Sequence, residues 1–409
     1  MKNNKKIDLF VDLKSRGLIY QMTPGLEKAS RKGLILYWGI DPTGDSMHVG
    51  HFLGVMMARR FLAAGHKVVV LVGGGTSMIG DPSGKNEERP ILSKEMIEEN
   101  KKKLKKLIEK LLGMEEGAVT MVDNADWLEK ISLIDFLREV GKYIPISTML
   151  GKEMVKTRME LETGISYAEF SYQLLQAYDY FVLSERMSCN LQIGGSDQWG
   201  NIVTGVDLIR KKTSKQVHGM SFPLVVDPKT GRKFGKSEKG ASIWLESHKT
   251  HPFLLFQFFM NTSDDLIPLL VNFYSFRSKA EIDRLIVEWE KNKEGRLLQR
   301  ELATEILNIV HGEKAVRECL RITSILFDKG SEKITLENIS FIQGALPSIE
   351  IPKGQKFVPE KHLVDLGLAS SRGEATRLVK QKGVSVEEMF DKFLLVKKGK
   401  KEYGLIKIV

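Results

Sequence analysis

Cysteine is nearly absent: Cys189 and Cys319 are the only two in 409 residues. That is too few for a disulfide framework and fits a reducing cytoplasm. No apolar run reaches the ~20 residues that a membrane span requires. The longest candidate, Pro252 to Met260, is short and contains Gln257. Met1 to Lys6 is basic, but no apolar segment follows it, so a secretory signal is not expected. No internal repeat or low-complexity tract is visible, which removes repeat arrays. Acid is also in short supply, with 62 Lys and Arg against 52 Asp and Glu and a formal charge of +10. A basic balance favours polyanionic partners. From Lys353 onward there are 13 basic and 7 acidic residues, so more than half of the excess sits in the last stretch. That is an electrostatic footprint on a separate module. The 42% hydrophobic content is ordinary for a globular protein, and 409 residues suggest about two or three domains.

Several site patterns fail in informative ways. The β-branched run Val68 to Val72 reads as a buried parallel strand and ends in Gly73-Gly74-Gly75, with Gly80 to Lys85 beyond. A Walker A loop needs four residues between its glycines and Ser or Thr after Lys; here three lie between Gly80 and Gly84, and Asn86 follows Lys85. A dinucleotide fingerprint fails because Met78 stands where the third glycine belongs. Ser196 is no nucleophile elbow, since Gln198 replaces the required glycine. A metal site on His48 and His51 lacks both a third ligand and the His-Glu-x-x-His spacing, so no metal ligands are assigned.

What is present begins at Leu36. An apolar strand through Tyr37 runs into Gly39-Ile40-Asp41-Pro42-Thr43-Gly44, a turn cluster. Asp45 or Ser46 is then placed to cap a helix carrying His48, Gly50 and His51 in its first turns. Such a helix start offers free N–H groups and a positive dipole end to an anion. Further on, Tyr172, Gln176 and Asp179 fall on one face of a helix, an odd trio for a core, and a solvent-facing stripe is the plain alternative. Leu191-Gln192-Ile193 alternates like a strand before Gly194-Gly195-Ser196-Asp197-Gln198, a turn that suits a ribose. Phe222 to Val226 reads as the last apolar strand and leads to a cation-dense, glycine-bearing loop with Lys233, Phe234, Gly235, Lys236 and Ser237. Residues 1–34 read as a helical lead-in, and residues 125–150 as further helix with an apolar stripe at Trp127, Leu128, Ile131, Ile134 and Leu137. Lys101 to Lys110 alternates lysines with leucines, a solvated helix face or a nucleic-acid contact.

Asp41-Pro42-Thr43 with His48-Val49-Gly50-His51 resembles the ATP-binding signature of class I aminoacyl-tRNA synthetases, and the preceding Tyr37 resembles their tyrosyl branch. The segments at Gly73–Lys85, Tyr172–Asp179 and Gly194–Gln198 are similar to the same branch, and Lys233–Ser237 resembles the second signature loop of the class, in a variant with Phe234 and Gly235 in the middle. Ser371 to Val384 resembles the alpha-L RNA-binding module of bacterial members. Ser371 is placed to cap that helix, Arg377 and Lys380 share a face and Gly383 ends it; short strands follow. The module departs from its usual pattern in lacking an Asn-Gly turn between Ser385 and Asp391.

The resemblance implies an α/β fold. A Rossmann-like catalytic domain (1–245) would be followed by a helical anticodon-side domain (246–327), a connector (328–353) and a small α+β RNA-binding domain (354–409). It implies ATP with Mg2+ as co-substrate, L-tyrosine and tRNA(Tyr) as partners, a homodimer, and the cytoplasm. Thr43, His48, Lys85, Arg89, Lys233 and Lys236 would act on the phosphates. Gly39, Asp41, Gly50, His51, Asp197, Lys236 and Ser237 would hold the rest of ATP. Tyr37 and Asp179 would read the phenol, and Tyr172, Gln176 and Asp81 the amino group, with Gln192 and Gln198 beside them. Arg372, Arg377, Lys380 and Lys382 would meet RNA. A tryptophanyl relative or a small-substrate nucleotidyltransferase, and a synthetase-like RNA-binding scaffold, are the competing readings.

Overall fold

The computed structural model describes residues 8–83, 92–113, 117–160, 164–226, 231, 234–235, 241–327, 334–399 and 402–409. Two compact units emerge: Met1–Trp244 with Ser263–Leu298, and Leu245–Thr262 with Gln299–Val409.

The first unit is built on β1 (Gln21–Met22), β2 (Ile35–Ile40), β3 (Lys67–Val72), β4 (Val119–Asp123), β5 (Leu191–Gly195) and β6 (His218–Phe222). Their order is β1-β6-β5-β2-β3-β4. All pairings are parallel except that β1 runs antiparallel to β6. In β3, Val68 to Val72 are all buried, as a β-branched strand covered on both faces by crossover helices must be. From β2 the chain builds outward through β3 and β4, then returns to place β5 and β6 on the other side. The reversal between β2 and β5 leaves a crevice beyond their carboxyl ends, where open α/β sheets bind ligands. The predicted Rossmann-like class is the observed one.

Helix Val49–Ala63 is buried along most of its length, which suits a crossover packed between strands and other helices. Helix Lys94–Leu112 begins where Ser93 Oγ accepts the Met96 N–H (3.2 Å) and stops at Gly113, whose φ of 72° only glycine adopts cheaply. Its Leu104, Leu107 and Leu111 face inward.

Four local expectations need correction. The lead-in is not one helix: Leu9–Ser15 and Leu26–Ser30 flank β1, which pairs with β6. The last strand lies earlier than Phe222 to Val226. His218–Phe222 is fully buried as β6, so its polar members escaped a reading based on apolarity. Residues 125–150 form several short helices instead of one, and Ile134 and Leu137 are 71% and 42% exposed. Ser132 interrupts the run by capping the Leu133–Glu139 helix. Finally, residues 263–298, read as part of the helical domain, group with the first unit. Two buried guanidiniums fix them there: Arg60 Nη2 donates to Ser275 O (2.5 Å) and Arg16 Nη1 to Asn272 O (3.2 Å).

The second unit contains helices Pro252–Met260, Glu313–Phe327 and Leu336–Ile342, then β7 (Ser348–Ile351), β8 (Val384–Met389), β9 (Phe393–Lys398) and β10 (Glu402–Ile408) in the order β7-β10-β9-β8. Helices Pro359–Asp365 and Arg372–Lys380 pack on this sheet through Leu363, Leu366, Ala375 and Val396. The stretch read as a connector thus supplies an edge strand, β7, parallel to β10. Ser371 does cap its helix, its Oγ accepting the Glu374 N–H (3.2 Å). The left-handed residue after it is Lys382 (φ 53°), not Gly383.

Candidate active site

A cleft of about 550 Å³ opens at the carboxyl ends of β2 and β5. It gathers segments that lie far apart in the chain: Tyr37–Asp41, Thr43, His48–His51, Thr76–Ser83, Tyr172–Asp179, Gln192–Gln198 and Phe234–Gly235.

At one end, the turn after β2 leads into the Val49–Ala63 helix. His48 is the N-cap residue, with extended backbone, and the helix begins one residue later. Neither Asp45 nor Ser46 caps it, as the sequence suggested. The segment before the helix is instead drawn into a β-bridge, with His48 opposite Trp244 and the Val49 N–H donating to Ile243 O (2.9 Å). The His48 and His51 rings stack at 3.7 Å, and Trp244 meets His48 edge-on at 5.8 Å. Gly50 keeps this surface bare, because a Cβ there would meet the His48 ring at 2.9 Å. Trp38 and Gly54, silent in the sequence, form a packing pair: a Cβ on Gly54 would stand 2.7 Å from the Trp38 indole nitrogen. The glycine therefore lets the helix lie flat on β2.

At the other end, a network of hydrogen bonds builds a buried polar slot. Tyr37 on β2 is registered opposite Gln192 on β5, and both are 2% exposed. Asp179 is 1% exposed, which rules out the solvent-facing stripe. Trp127 Nε1–H donates to its Oδ1 (2.7 Å) and Asn124 Nδ2–H to its Oδ2 (3.0 Å). Burial pushes the Asp179 carboxyl up to about 7, against the pull of these two donors. Burial also pushes the Tyr37 phenol upward, and the charges of Asp179 and Asp41 act in the same direction, so Tyr37 stays a neutral hydroxyl. Asn124 is fully used. Beyond Asp179 it donates to Thr76 Oγ1 (2.9 Å) and accepts the Gly75 N–H (2.8 Å).

Thr76 passes the contact on, donating to Asp41 Oδ1 (2.8 Å), while the Tyr172 hydroxyl donates to Asp41 Oδ2 (2.9 Å). Asp41, expected to hold ATP, is thus tied through Thr76 and Tyr172 into the polar slot that contains Asp179. Gln198 Nε2 donates to Asp81 Oδ2 (2.7 Å), and Asn201 Nδ2 to Gln176 Oε1 (2.9 Å). Gly73 and Gly74 are required by close approach, since Cβ atoms there would fall 2.0 Å from Asp41 Oδ1 and 2.4 Å from Asp123 Oδ1. Between the two ends lie Gly39 and Asp197, the latter in the turn that follows β5.

Sequence reasoning missed Asn124, Trp127 and Asn201. Asn201 closes the segment that begins at Gly194, without a role being read for it, and Asn124 and Trp127 belong to no motif; each is identified by what its side chain touches. Lys85, Arg89, Lys233, Lys236 and Ser237 lie outside the described residues. Thr43 and His51 are exposed at the mouth of the cleft. Arg372, Arg377, Lys380 and Lys382 sit in the second unit and are all exposed. Among the described residues no group of three His, Cys, Asp or Glu is placed to hold a metal ion, and no helix is long and apolar enough to cross a membrane.

The sequence model of the tRNA synthetases class I (W and Y) matches residues 28–328. A tyrosine–tRNA ligase of Desulfitobacterium hafniense is 40% identical, over 98% of this chain and 100% of its own length. That of Staphylococcus carnosus is 39% identical, over 98% and 99%. Among solved structures, a C-terminally truncated mitochondrial tyrosyl-tRNA synthetase of Aspergillus nidulans superposes with a TM-score of 0.70 at 30% identity, covering 80% of this chain and 96% of its own. With a polar slot and a bare helix start meeting in one cleft, and relatives matched end to end, the chain belongs to the class I tRNA synthetases of the tryptophan and tyrosine group.

Proposed function

We propose that this protein is an ATP-dependent ligase that joins L-tyrosine to tRNA(Tyr). In the first step the tyrosine carboxylate attacks the α-phosphorus of ATP, forming the adenylate and expelling pyrophosphate. In the second, a hydroxyl of the terminal ribose of the tRNA attacks the activated carbonyl and AMP leaves. The first nucleophile arrives ionised, so no general base is needed; the protein contributes positioning and charge stabilisation.

The observation that carries the choice of tyrosine is the Asp179 carboxylate. It is held by Trp127 and Asn124 and opens beside Tyr37 into the same cleft as the first signature. A phenol donating to Asp179 and accepting from Tyr37 satisfies both groups, whereas an indole or a phenyl ring leaves one of them unpaired in a dry pocket. Tyr172, Gln176 and Asp81 take the substrate's ammonium, with Gln192 and Gln198 closing the slot. Gly39, Asp41, Gly50, His51, Asp197 and Ser237 support adenosine. Thr43, His48, Lys85, Arg89, Lys233 and Lys236 neutralise the charge that builds on the departing pyrophosphate. Mg2+ travels with ATP as counter-charge. Arg372, Arg377, Lys380 and Lys382 of the 354–409 module bind the RNA backbone.

Two copies associate through the apolar surface around Leu133, Ile134, Ile146 and Tyr167, which are 69%, 71%, 65% and 74% exposed. The basic balance and the two unpaired cysteines suit work in the cytoplasm. ATP–pyrophosphate exchange run separately with tyrosine, tryptophan and phenylalanine tests the central reading. Exchange with tyrosine is expected; exchange with tryptophan alone, or tight RNA binding with no exchange at all, overturns it.

A further inference from the structure

Helix Ile267–Tyr274 belongs to no signature, yet its last residue enters the cleft. Its carbonyl end is anchored with unusual care. Arg16 and Arg60, 4% and 6% exposed, share Asp12 through contacts of 2.8 Å and 3.3 Å. Arg16 Nη1 donates to Ser275 O (3.2 Å) and Arg60 Nη2 to the same carbonyl (2.5 Å). Cations at a helix carboxyl end meet orphan carbonyls and the negative end of the dipole. The guanidinium of Arg60 also lies 4.9 Å from the centre of the Phe276 ring. These contacts leave Tyr274 little freedom.

Tyr274 is 1% exposed and touches three parts of the site. Its hydroxyl donates to Val49 O (3.3 Å), in the first turn of the signature helix. Its ring stacks on Phe52 of that helix, with centroids 6.1 Å apart and planes 14° off parallel. It also meets the ring of Phe234 of the second signature, 6.5 Å away and tilted by 46°. Next to Phe234, Gly235 (φ 106°) lies so close that a Cβ there would meet Gly50 N at 3.0 Å. The two signatures therefore meet over one aromatic post.

We infer that Tyr274 is a positioning residue for adenylate formation: by seating Phe234 against the start of the Val49–Ala63 helix, it fixes how the two signatures meet. The inference rests on the ligase reading above. Lys233 and Lys236 flank Phe234 in the chain. Contacts that strengthen as charge develops on pyrophosphate raise the rate of the step without changing ground-state affinity for tyrosine. Loosening the contact between the two signatures should therefore lower kcat and leave the tyrosine KM alone.

The test is steady-state pyrophosphate exchange with wild type, Tyr274→Phe, Tyr274→Leu, Phe234→Ala and the Tyr274→Leu/Phe234→Ala double variant, alongside tyrosine binding by fluorescence. Tyr274→Phe keeps the aromatic post and loses one long hydrogen bond, so kcat stays within about threefold of wild type. Tyr274→Leu and Phe234→Ala each lower kcat by roughly 30-fold or more, with the tyrosine KM held within about twofold. The double variant is no worse than the weaker single variant by more than about twofold, because one contact is removed only once. Multiplicative losses, or a tyrosine KM that rises in step with the fall in kcat, overturn the inference. Should Tyr274→Leu fail to bind tyrosine through misfolding, Phe234→Ala decides: the residue is only half-buried, and an undiminished kcat in that variant is a refutation. An active wild type with unaffected variants sinks this inference alone; a wild type inactive with tyrosine sinks the ligase reading and this inference together.

Discussion

On the proposed function, the polar slot of the first unit and the basic module that ends the second recognise their ligands in opposite ways. In the slot, four side chains are each held by another: Asp179 by Trp127 and Asn124, Asp81 by Gln198, Gln176 by Asn201, and Asp41 by Thr76 and Tyr172. In the module, Arg372, Arg377, Lys380 and Lys382 reach into solvent from a helix and the turn after it. The difference follows from the ligands. Distinguishing one ring hydroxyl requires that the wrong ligand leave a desolvated group unpaired, so the groups must be unable to adjust. A phosphate backbone is read mainly through its charge, and mobile exposed cations suffice for that. A substitution in the slot should thus act steeply and on one ligand, and one in the module shallowly and in a salt-dependent way.

The largest effect is expected from Asp179→Ala. On the proposed reading it removes the partner of the substrate phenol, and it strands the Trp127 and Asn124 donors, each a loss of about 1–3 kcal/mol in a buried setting. Together these predict a fall of roughly 10³-fold or more in kcat/KM for tyrosine in the exchange assay, with the ATP KM little changed. Trp127→Phe keeps the ring and removes one donor to a charged acceptor, so a loss of about 10- to 100-fold is expected, concentrated in the tyrosine KM. Equal damage to ATP and tyrosine parameters in either variant would contradict the idea of a slot built for one ligand.

Acidity provides a gentler probe. Asp179 titrates at about 7 in the folded protein because burial disfavours its charge. A folded value above the ordinary carboxylate range means that protonation favours the empty native state. That contribution is complete below about pH 4, the usual carboxylate range, and is lost as pH rises through about 7. Tyrosine has the opposite preference, since its phenol donates best to the ionised form. Its apparent affinity should therefore fall as pH drops below about 7, at most tenfold per unit, and Asp179→Asn should flatten the profile. Trp127→Phe, by removing a donor that favours the charged form, should move the midpoint upward. Isothermal titration from pH 5 to 8 reads all three; a midpoint that ignores both substitutions would assign the titration elsewhere.

Part of the slot was legible before any coordinates. Tyr172, Gln176 and Asp179 share a helix face that is odd for a core; from the residues alone it reads as well as a solvent-facing stripe, which only the burial of Asp179 excludes. What holds them was not legible. Asn124 and Trp127 follow β4, some fifty residues from Asp179; Trp127 reads only as the first member of an apolar stripe, and Asn124 belongs to no motif. The same limit explains His48: its local sequence permits a helix, and only the bridge to Trp244 pulls it out into a cap. β6 was displaced in the reading because His218 to Phe222 carries His, Gly and Ser inside a sheet covered on both faces, where polarity is a poor guide to burial. The exposed module was the easier case. Ser371, Arg377 and Lys380 behave as local rules require, because little tertiary contact overrides them.

In the module the effects should be modest and general. Truncation at Lys353 is a blunt instrument, since it strips β10 from β7. Arg377→Ala and Lys380→Ala are better, both being exposed on one helix. Each should leave pyrophosphate exchange unchanged and weaken tRNA binding by roughly three- to tenfold, while reducing the slope of log affinity against log salt by about 1. A change in tyrosine activation would blur the contrast between the two regions; an unchanged salt slope would remove these side chains from the RNA contact.

The smallest effect concerns the missing Asn-Gly turn. β8 and β9 are joined through Phe390 and Asp391, and both adopt left-handed backbone, with φ of 57° and 52°. The Lys392 N–H closes the turn on Met389 O (3.2 Å). Left-handed geometry costs an ordinary side chain roughly 1–2 kcal/mol, less for Asp, and costs glycine almost nothing. Asp391→Gly restores what a hairpin of this hand prefers. After the greater backbone entropy of glycine in the unfolded chain is subtracted, a net gain of about 0.5 kcal/mol is expected in chemical denaturation of the second unit. Phe390→Gly should gain more backbone relief, but it also deletes a half-exposed ring, 44% accessible, and with it the only large apolar side chain at that tip. If Phe390→Gly stabilises the hairpin and leaves tRNA charging intact, the strain is incidental. If charging falls while stability rises, the ring is held in an unfavourable backbone because RNA stacks on it, and the module then contains one rigid contact of the kind that otherwise marks the tyrosine slot.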